Sequence, residues 1–201
     1  GAPALSLRAV ARAVDMSPAG LYRYYDGRDA LLTALLVDAY NDLADTVEEA
    51  MRGDGAYRQR ILTGIDAYRS WAVADPNRFL LIFGTAIPGY AAPQDGPTVA
   101  ANRRMGMAYF TVAAQAFSAG QLPTPLTDRA PTTAEVDVAT QLSAVAPGFP
   151  PALVPVMLST WAHWHGLVLL EVTGQLDWAY PDSRAFYDQQ AAAIVDRMLG
   201  A

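Results

Sequence analysis

An all-α fold is what this sequence predicts, on two observations. No stretch sustains the period-two alternation of a half-buried strand, and no Asn-Gly or Asp-Gly pair is flanked by strand patterns; Asp26-Gly27 joins two helical patterns instead. Helix punctuation, by contrast, recurs along the whole chain: Ser17-Pro18, the Asp75-Pro76 break, Thr132 with Glu135, and glycines at 53 and 120.

Taken in order, the first helix follows Ser6 as N-cap, with Leu7, Val10, Ala11 and Val14 as its apolar stripe. Ser17, followed by proline at the first helical position, starts a second helix that runs to about Tyr24. Arg28 to Arg52 reads as one long amphipathic helix with Leu31, Leu35, Ala39, Leu43 and Val47 in register, stopped by Gly53-Asp54-Gly55. Helices over Tyr57 to Ala74 and Pro76 to Gly84 follow, then a loop from Ile87 to Pro97. Thr98 to Ala119 is helical and ends at Gly120, and the Thr132/Glu135 capping box opens a helix reaching about Val145. Pro147 to Pro151 breaks the pattern. Pro151 to Gln175 and Ser183 to Leu199 are the final two helices, joined by a turn around Tyr180-Pro181-Asp182.

Composition narrows the chemistry. With 201 residues the chain can bury a real core. Having no cysteine, it has no disulfide, no thiolate metal site and no cysteine nucleophile. Long apolar stretches are interrupted by Gly and Pro, or by two histidines and Glu171, which a membrane span rarely tolerates. No basic stretch followed by an apolar run opens the chain, so the expected location is the cytoplasm. The net charge is −6, yet residues 1 to 28 carry four arginines against two acids, a basic head on an acidic body. Local patches rather than total charge govern contact with phosphate.

Two short helices joined by a tight turn form the helix-turn-helix unit, whose second helix enters the major groove of DNA. Here Ser6, Val10-Ala11, Ser17, Leu21-Tyr22, Tyr25, Arg28 and Leu31 stand where TetR-family regulators show Thr, Ile-Ala, Ser, Leu-Tyr, Phe, Lys and Leu. The head therefore resembles that family. The resemblance implies backbone contacts from Tyr22 and Arg28, with Ser6 and Ser17 near phosphate. Pro18, Ala19, Arg23 and Tyr24 then face base edges, and Arg23 alone of these has strong donors, arginine to guanine being the commonest specific contact. Asp15 departs from the family's turn glycine, but aspartate tolerates the left-handed conformation. The resemblance also implies one more helix, packed behind this unit and preceding Ser6; on that expectation the head is incomplete at its N-terminus.

In the body, Trp161, His165-Gly166, Glu171 and Gly174, with Phe83-Gly84 and Pro88-Gly89-Tyr90, resemble the family's Trp-His-Gly subgroup. His163 and His165 diverge by about 200 degrees on a helix, which argues against a shared metal, so no metal or cofactor is expected. Ala162, Gly166 and Gly174 lie near one stripe where another helix can approach closely. Aromatic residues crowd the preceding helices, and an apolar pocket for a small ligand is expected at Tyr68, Trp71, Tyr109, Phe110 and His163. The expected organisation is a DNA-binding head with its connecting helix over residues 1–50, and an effector-binding and dimerisation domain over 51–201. Its last two helices would form a four-helix bundle in a homodimer. The expected function is a repressor, not an enzyme, released from a palindromic double-stranded operator by a small apolar or aromatic molecule. The alternatives are a small helical enzyme using His163, His165 and Glu171, or a ligand-free dimerising adaptor.

Overall fold

The computed structural model describes residues 7–93, 95–124 and 129–200. Among these are nine helices and no strand: α1 (Leu7–Ala13), α2 (Pro18–Tyr22), α3 (Arg28–Ala50), α4 (Tyr57–Ala74), α5 (Pro76–Phe83), α6 (Pro97–Ser118), α7 (Thr133–Leu142), α8 (Leu153–Val172) and α9 (Ser183–Leu199). They fall into two compact units: residues 1–44 with 75–105, and residues 45–74 with 106–201. The division is discontinuous, where the sequence pattern suggests one cut at residue 50. α5 and the start of α6 group with the head.

The first unit is organised around the inward face of α3, with Leu32 and Ala39 fully buried, as is Phe79 of α5. Asp75 caps α5 by accepting from the Arg78 amide, and Pro76 takes the first helical position. The Phe79 and Phe83 rings lie 5.1 Å apart, and Phe83 meets Tyr40 edge-on. The Tyr40 hydroxyl donates to the Ile82 carbonyl at 3.0 Å. Arg78 bridges Asp38 and Asp42 on successive turns of α3.

The second unit packs α8 against α9, α4 and α7, with α4 also against α9. Ile61, Tyr68, Leu142, Leu153, Val154, Met157, Val168 and Val195 are its large fully buried side chains. Thr132 and Glu135 form the capping box of α7, both halves present. Pro155 sits in the first turn of α8, where its missing N–H costs no hydrogen bond.

Three elements differ from the sequence pattern. Leu35 is exposed and Leu36 buried, since adjacent residues lie about 100 degrees apart on a 3.6-residue helix, while Leu31, Ala39, Leu43 and Val47 of the same every-fourth row are buried. Val14 leaves the core of α1 and is 53% exposed, since the helix has ended before it. α8 stops at Val172, so Gly174 belongs to no helical stripe. It has φ 68°, with the Gly174 amide bonding the Glu171 carbonyl and the Gln175 amide the Leu170 carbonyl, a Schellman stop.

Candidate functional site

The head is built on a small core in which Ala11, Leu21 and Leu31 are buried together, with Val10 and Tyr25 against them. One residue comes from each of α1, α2 and α3, which fixes the angle between the first two helices. The turn between them is made by Asp15 at φ 54°, the one non-glycine residue with positive φ among those described. The Asp15 amide donates to the Arg12 carbonyl and the Met16 amide to that of Ala11, again the Schellman pattern. Aspartate thus occupies the left-handed position that usually calls for glycine.

Ser17 then caps α2, its hydroxyl accepting from the Gly20 amide at 3.0 Å. α2 ends at Tyr22, so Arg23 and Tyr24 lie at and beyond its C-cap rather than within the helix. Tyr22 and Tyr24 are 54% and 74% exposed, and Ser17, Ala19 and Arg23 are also exposed. Ser6 lies outside the described residues, and Pro18 is described only by its place at the helix start. Arg28 opens α3, where its guanidinium donates to the Pro88 carbonyl at 3.4 Å and lies 3.5 Å from Asp29. Tyr90, two residues beyond Pro88, shares a 2.9 Å hydrogen bond with Thr33. The 84–92 segment is therefore tied to the first turns of α3.

In the second unit the structure gathers an aromatic cluster. Tyr68 lies edge-on to Trp164 at 4.6 Å, Tyr109 meets Trp164 and Phe110, and Trp161 stacks on His165 at 4.8 Å. The Tyr68 hydroxyl and His165 Nδ1 are hydrogen-bonded at 2.7 Å, and burial pushes the imidazole toward its neutral form. The Tyr109 hydroxyl donates to Met198 Sδ, and burial raises its pKa well above the usual phenol value. Of the five residues expected at a pocket, Tyr68, Tyr109 and Phe110 are buried, Trp71 is half-buried, and His163 is exposed. His163 thus faces away from this cluster, and His165 takes the inward position. The reason is the divergence of residues two apart on a helix.

Glu171 is held elsewhere. Arg69 of α4 grips it bidentately, the Ser183 hydroxyl of α9 donates to it, and the Arg69 guanidinium lies over the Tyr187 ring at 5.2 Å. Glu171 and His165 therefore serve different partners, and the acid-base set His163, His165 and Glu171 is not brought together. Among the described residues no group of three potential ligands is placed to hold a metal. Sequence reasoning missed Trp164, which joins Tyr68 to Tyr109, and Arg69, whose partner is a hundred residues distant. The only signal for either was a large or charged residue at an inward helical position.

The stripe of small residues is open in part. Ala162 is exposed, and a Cβ built on Gly166 meets no atom within 4 Å. By length and composition α8 is apolar enough to cross a membrane, and a third of that apolar stretch is buried.

Residues 1–35 match the family described as bacterial regulatory proteins, tetR family, and residues 61–194 match the tetracyclin repressor-like C-terminal domain. The assignment to a Trp-His-Gly subgroup rests on the residues alone. The HTH-type transcriptional regulator Rv1816 of Mycobacterium tuberculosis is 39% identical over 183 residues, covering 87% of this chain and 75% of its own length. Mb1846 of Mycobacterium bovis, likewise an HTH-type transcriptional regulator, matches to the same extent. The crystal structure of SCO4313, a protein given a regulatory designation, superposes with TM-score 0.72 at 34% identity, over 100% of this chain and 88% of that one. PfmR, a TetR family transcriptional regulator from Thermus thermophilus, shares the fold, with TM-score 0.60 at 16% identity over 100% and 91% of the two chains.

Proposed function

Because the chain belongs to the TetR family of DNA-binding transcriptional regulators, we propose that it is a homodimeric repressor, released from a palindromic operator by a small apolar or aromatic molecule. The observation that carries this reading is the head: Tyr22, Arg23 and Tyr24 stand exposed at the end of a capped helix whose angle is set by the Ala11, Leu21 and Leu31 core. Arg23 reads a base edge, while Tyr22, Ser17 and Arg28 position the head on phosphate.

Two-fold symmetry is needed to place two heads about 34 to 36 Å apart on successive turns of DNA. The exposed apolar face of α8 supports pairing with a second copy, α8 and α9 from each forming a four-helix bundle. Such burial would make α8 an interface helix in a cytoplasmic protein. The effector is proposed to enter the body beside the Tyr68, Trp71, Tyr109 and Phe110 rings. Supporting this, Trp161 Nε1, Trp164 Nε1 and Gln115 Oε1 are buried without hydrogen-bond partners, a rarity in native interiors that a polar guest would relieve. A guest acts only through its differential affinity for the two head spacings, about 1 to 3 kcal/mol in typical cases. The engagement of His165 by Tyr68 and of Glu171 by Arg69 supports a binding role over a catalytic one.

The test is fluorescence anisotropy of the full-length protein on a duplex selected from a random pool, against a scrambled duplex. Preference for the selected duplex, lost on adding an effector from a metabolite library, is the expected result. Equal affinity for both duplexes would sink the reading. Phe110→Ala or Trp71→Ala is expected to alter effector response with operator affinity nearly intact, with thermal unfolding run alongside because such truncations cost about 3 to 5 kcal/mol in a core.

A further inference from the structure

We propose that a groove in the first unit, between α3, α5, the 84–92 segment and the start of α6, binds a neutral, mainly apolar small molecule ending in a carbonyl or hydroxyl group. The groove has a volume of about 300 Å³, at the small end of ligand sites. Its walls are apolar, from Leu36, Leu81, Ile87 and Val99, and no charged side chain is among its lining residues. A carboxylate or ammonium group would lose its hydration there without gaining a counter-charge.

Its polar lining residues are Tyr40, Thr85, Tyr90, Thr98 and Asn102, of which Thr85 and Asn102 are exposed. Tyr40 spends its hydroxyl on the Ile82 carbonyl, and Tyr90 shares its own with Thr33. Thr98, in the first turn of the 22-residue α6, is only 7% exposed, and its Oγ1 has no hydrogen-bond partner. Buried hydroxyls in native proteins almost always find a partner. Threonine in a helix divides between two χ1 settings, so a turn about one bond hands this hydroxyl to a guest. The positive end of the α6 dipole favours an oxygen acceptor at the same place.

The site also reaches the head. Ile87 and Tyr90 line the groove, and the same segment supplies the Pro88 carbonyl that holds Arg28. A guest pressing on this segment biases Arg28 between that carbonyl and phosphate. Only this last step rests on the reading that a small molecule releases the protein from DNA; binding itself does not.

Isothermal titration calorimetry of the full chain with octan-2-one, octan-1-ol and octanoate tests the site. The two neutral probes are expected to bind, and octanoate about tenfold more weakly or worse. Thr98→Val should reduce octan-2-one affinity about three- to tenfold with no fall in unfolding temperature, as one hydrogen bond is lost. Ala86→Trp, at an exposed groove position, should abolish binding while circular dichroism stays unchanged. Failure of both neutral probes, tightest binding by octanoate, or unchanged binding by Ala86→Trp would each overturn the proposal. If Phe110→Ala removes binding and Ala86→Trp does not, the guest sits in the body, which overturns this groove and leaves effector control standing. Binding that follows the variants while operator affinity stays constant supports the groove and counts against release through it.

Discussion

Arg23 and Arg28 carry the same charge, yet their surroundings assign them different work. Arg23 is exposed at the C-cap of α2, free of any ion pair among the described residues, while Arg28 is already tethered to the Pro88 carbonyl and near Asp29. Arg23→Ala is therefore expected to cost about 1 to 3 kcal/mol of discrimination between operator and random DNA. Arg28→Ala should weaken both alike and reduce the salt slope by about one. Equal loss on both duplexes for Arg23→Ala would misplace the recognition residues. In the body, the side chains of Arg69 and Glu171 are 10% and 13% exposed, so neither partner can be left alone cheaply. Arg69→Met should cost about 3 to 5 kcal/mol in urea unfolding, because the carboxylate keeps only Ser183. This pair was legible in the sequence only by half. Glu171 stands out in an apolar helix, but nothing local points to an arginine on α4.

Helix starts are where sequence and structure agree most closely, because N-capping is a short-range interaction between residues two or three apart. Ser17, Asp182 and Thr132 each accept from an amide in the first turn, as such residues do. Facing is less legible: Leu35 and Leu36 are equally apolar, and only their angular position separates them. Two ends give sharp expectations. At the α1–α2 turn, Asp15→Gly should hold or slightly raise stability, whereas Asp15→Val should lose about 1 to 2 kcal/mol or more, since a branched side chain resists positive φ. Loss of stability in the glycine variant would disprove the backbone argument. At α7, hydrogen bonds from Arg129 and then from the Thr132 amide hold the Glu135 carboxyl down at about 2. Its folded value lies below its unfolded one, so its contribution is complete above about 4.5 and disappears as pH falls toward 2. Carboxyl NMR titration should find that midpoint, and Arg129→Ala should move it upward.

At the scale of the whole molecule, the class of fold was legible because every segment carries helical period and caps, and the head because several nearby positions agree at once. The groove was not legible. Its lining comes from separated segments, one of which reads in sequence as a plain loop. Assembly lies between these cases, for α8 announces apolarity without saying what covers it. Only a third of its apolar stretch is buried in one chain, while Leu158 is 47% exposed and Ala162 follows it one turn later on the same side. Gly166 continues that row, and open space lies beyond its Cα. A side chain added there offends nothing within the chain. It even improves helix propensity by about 0.8 kcal/mol. Gly166→Leu should thus leave the unfolding of the isolated chain unchanged or slightly more costly. Overpacking against a second copy would cost the dimer about 1 to 3 kcal/mol, a rise of roughly fivefold to 150-fold in its dissociation constant. Gly174→Leu is the contrast, since its φ of 68° makes the substitution a strain on the end of α8 with no bearing on the stripe. Sedimentation equilibrium and urea unfolding together separate the two: dissociation at unchanged monomer stability for Gly166→Leu, lowered stability for Gly174→Leu. A wild-type chain that sediments as a monomer at micromolar concentration would remove the bundle, and with it the requirement for a two-fold operator.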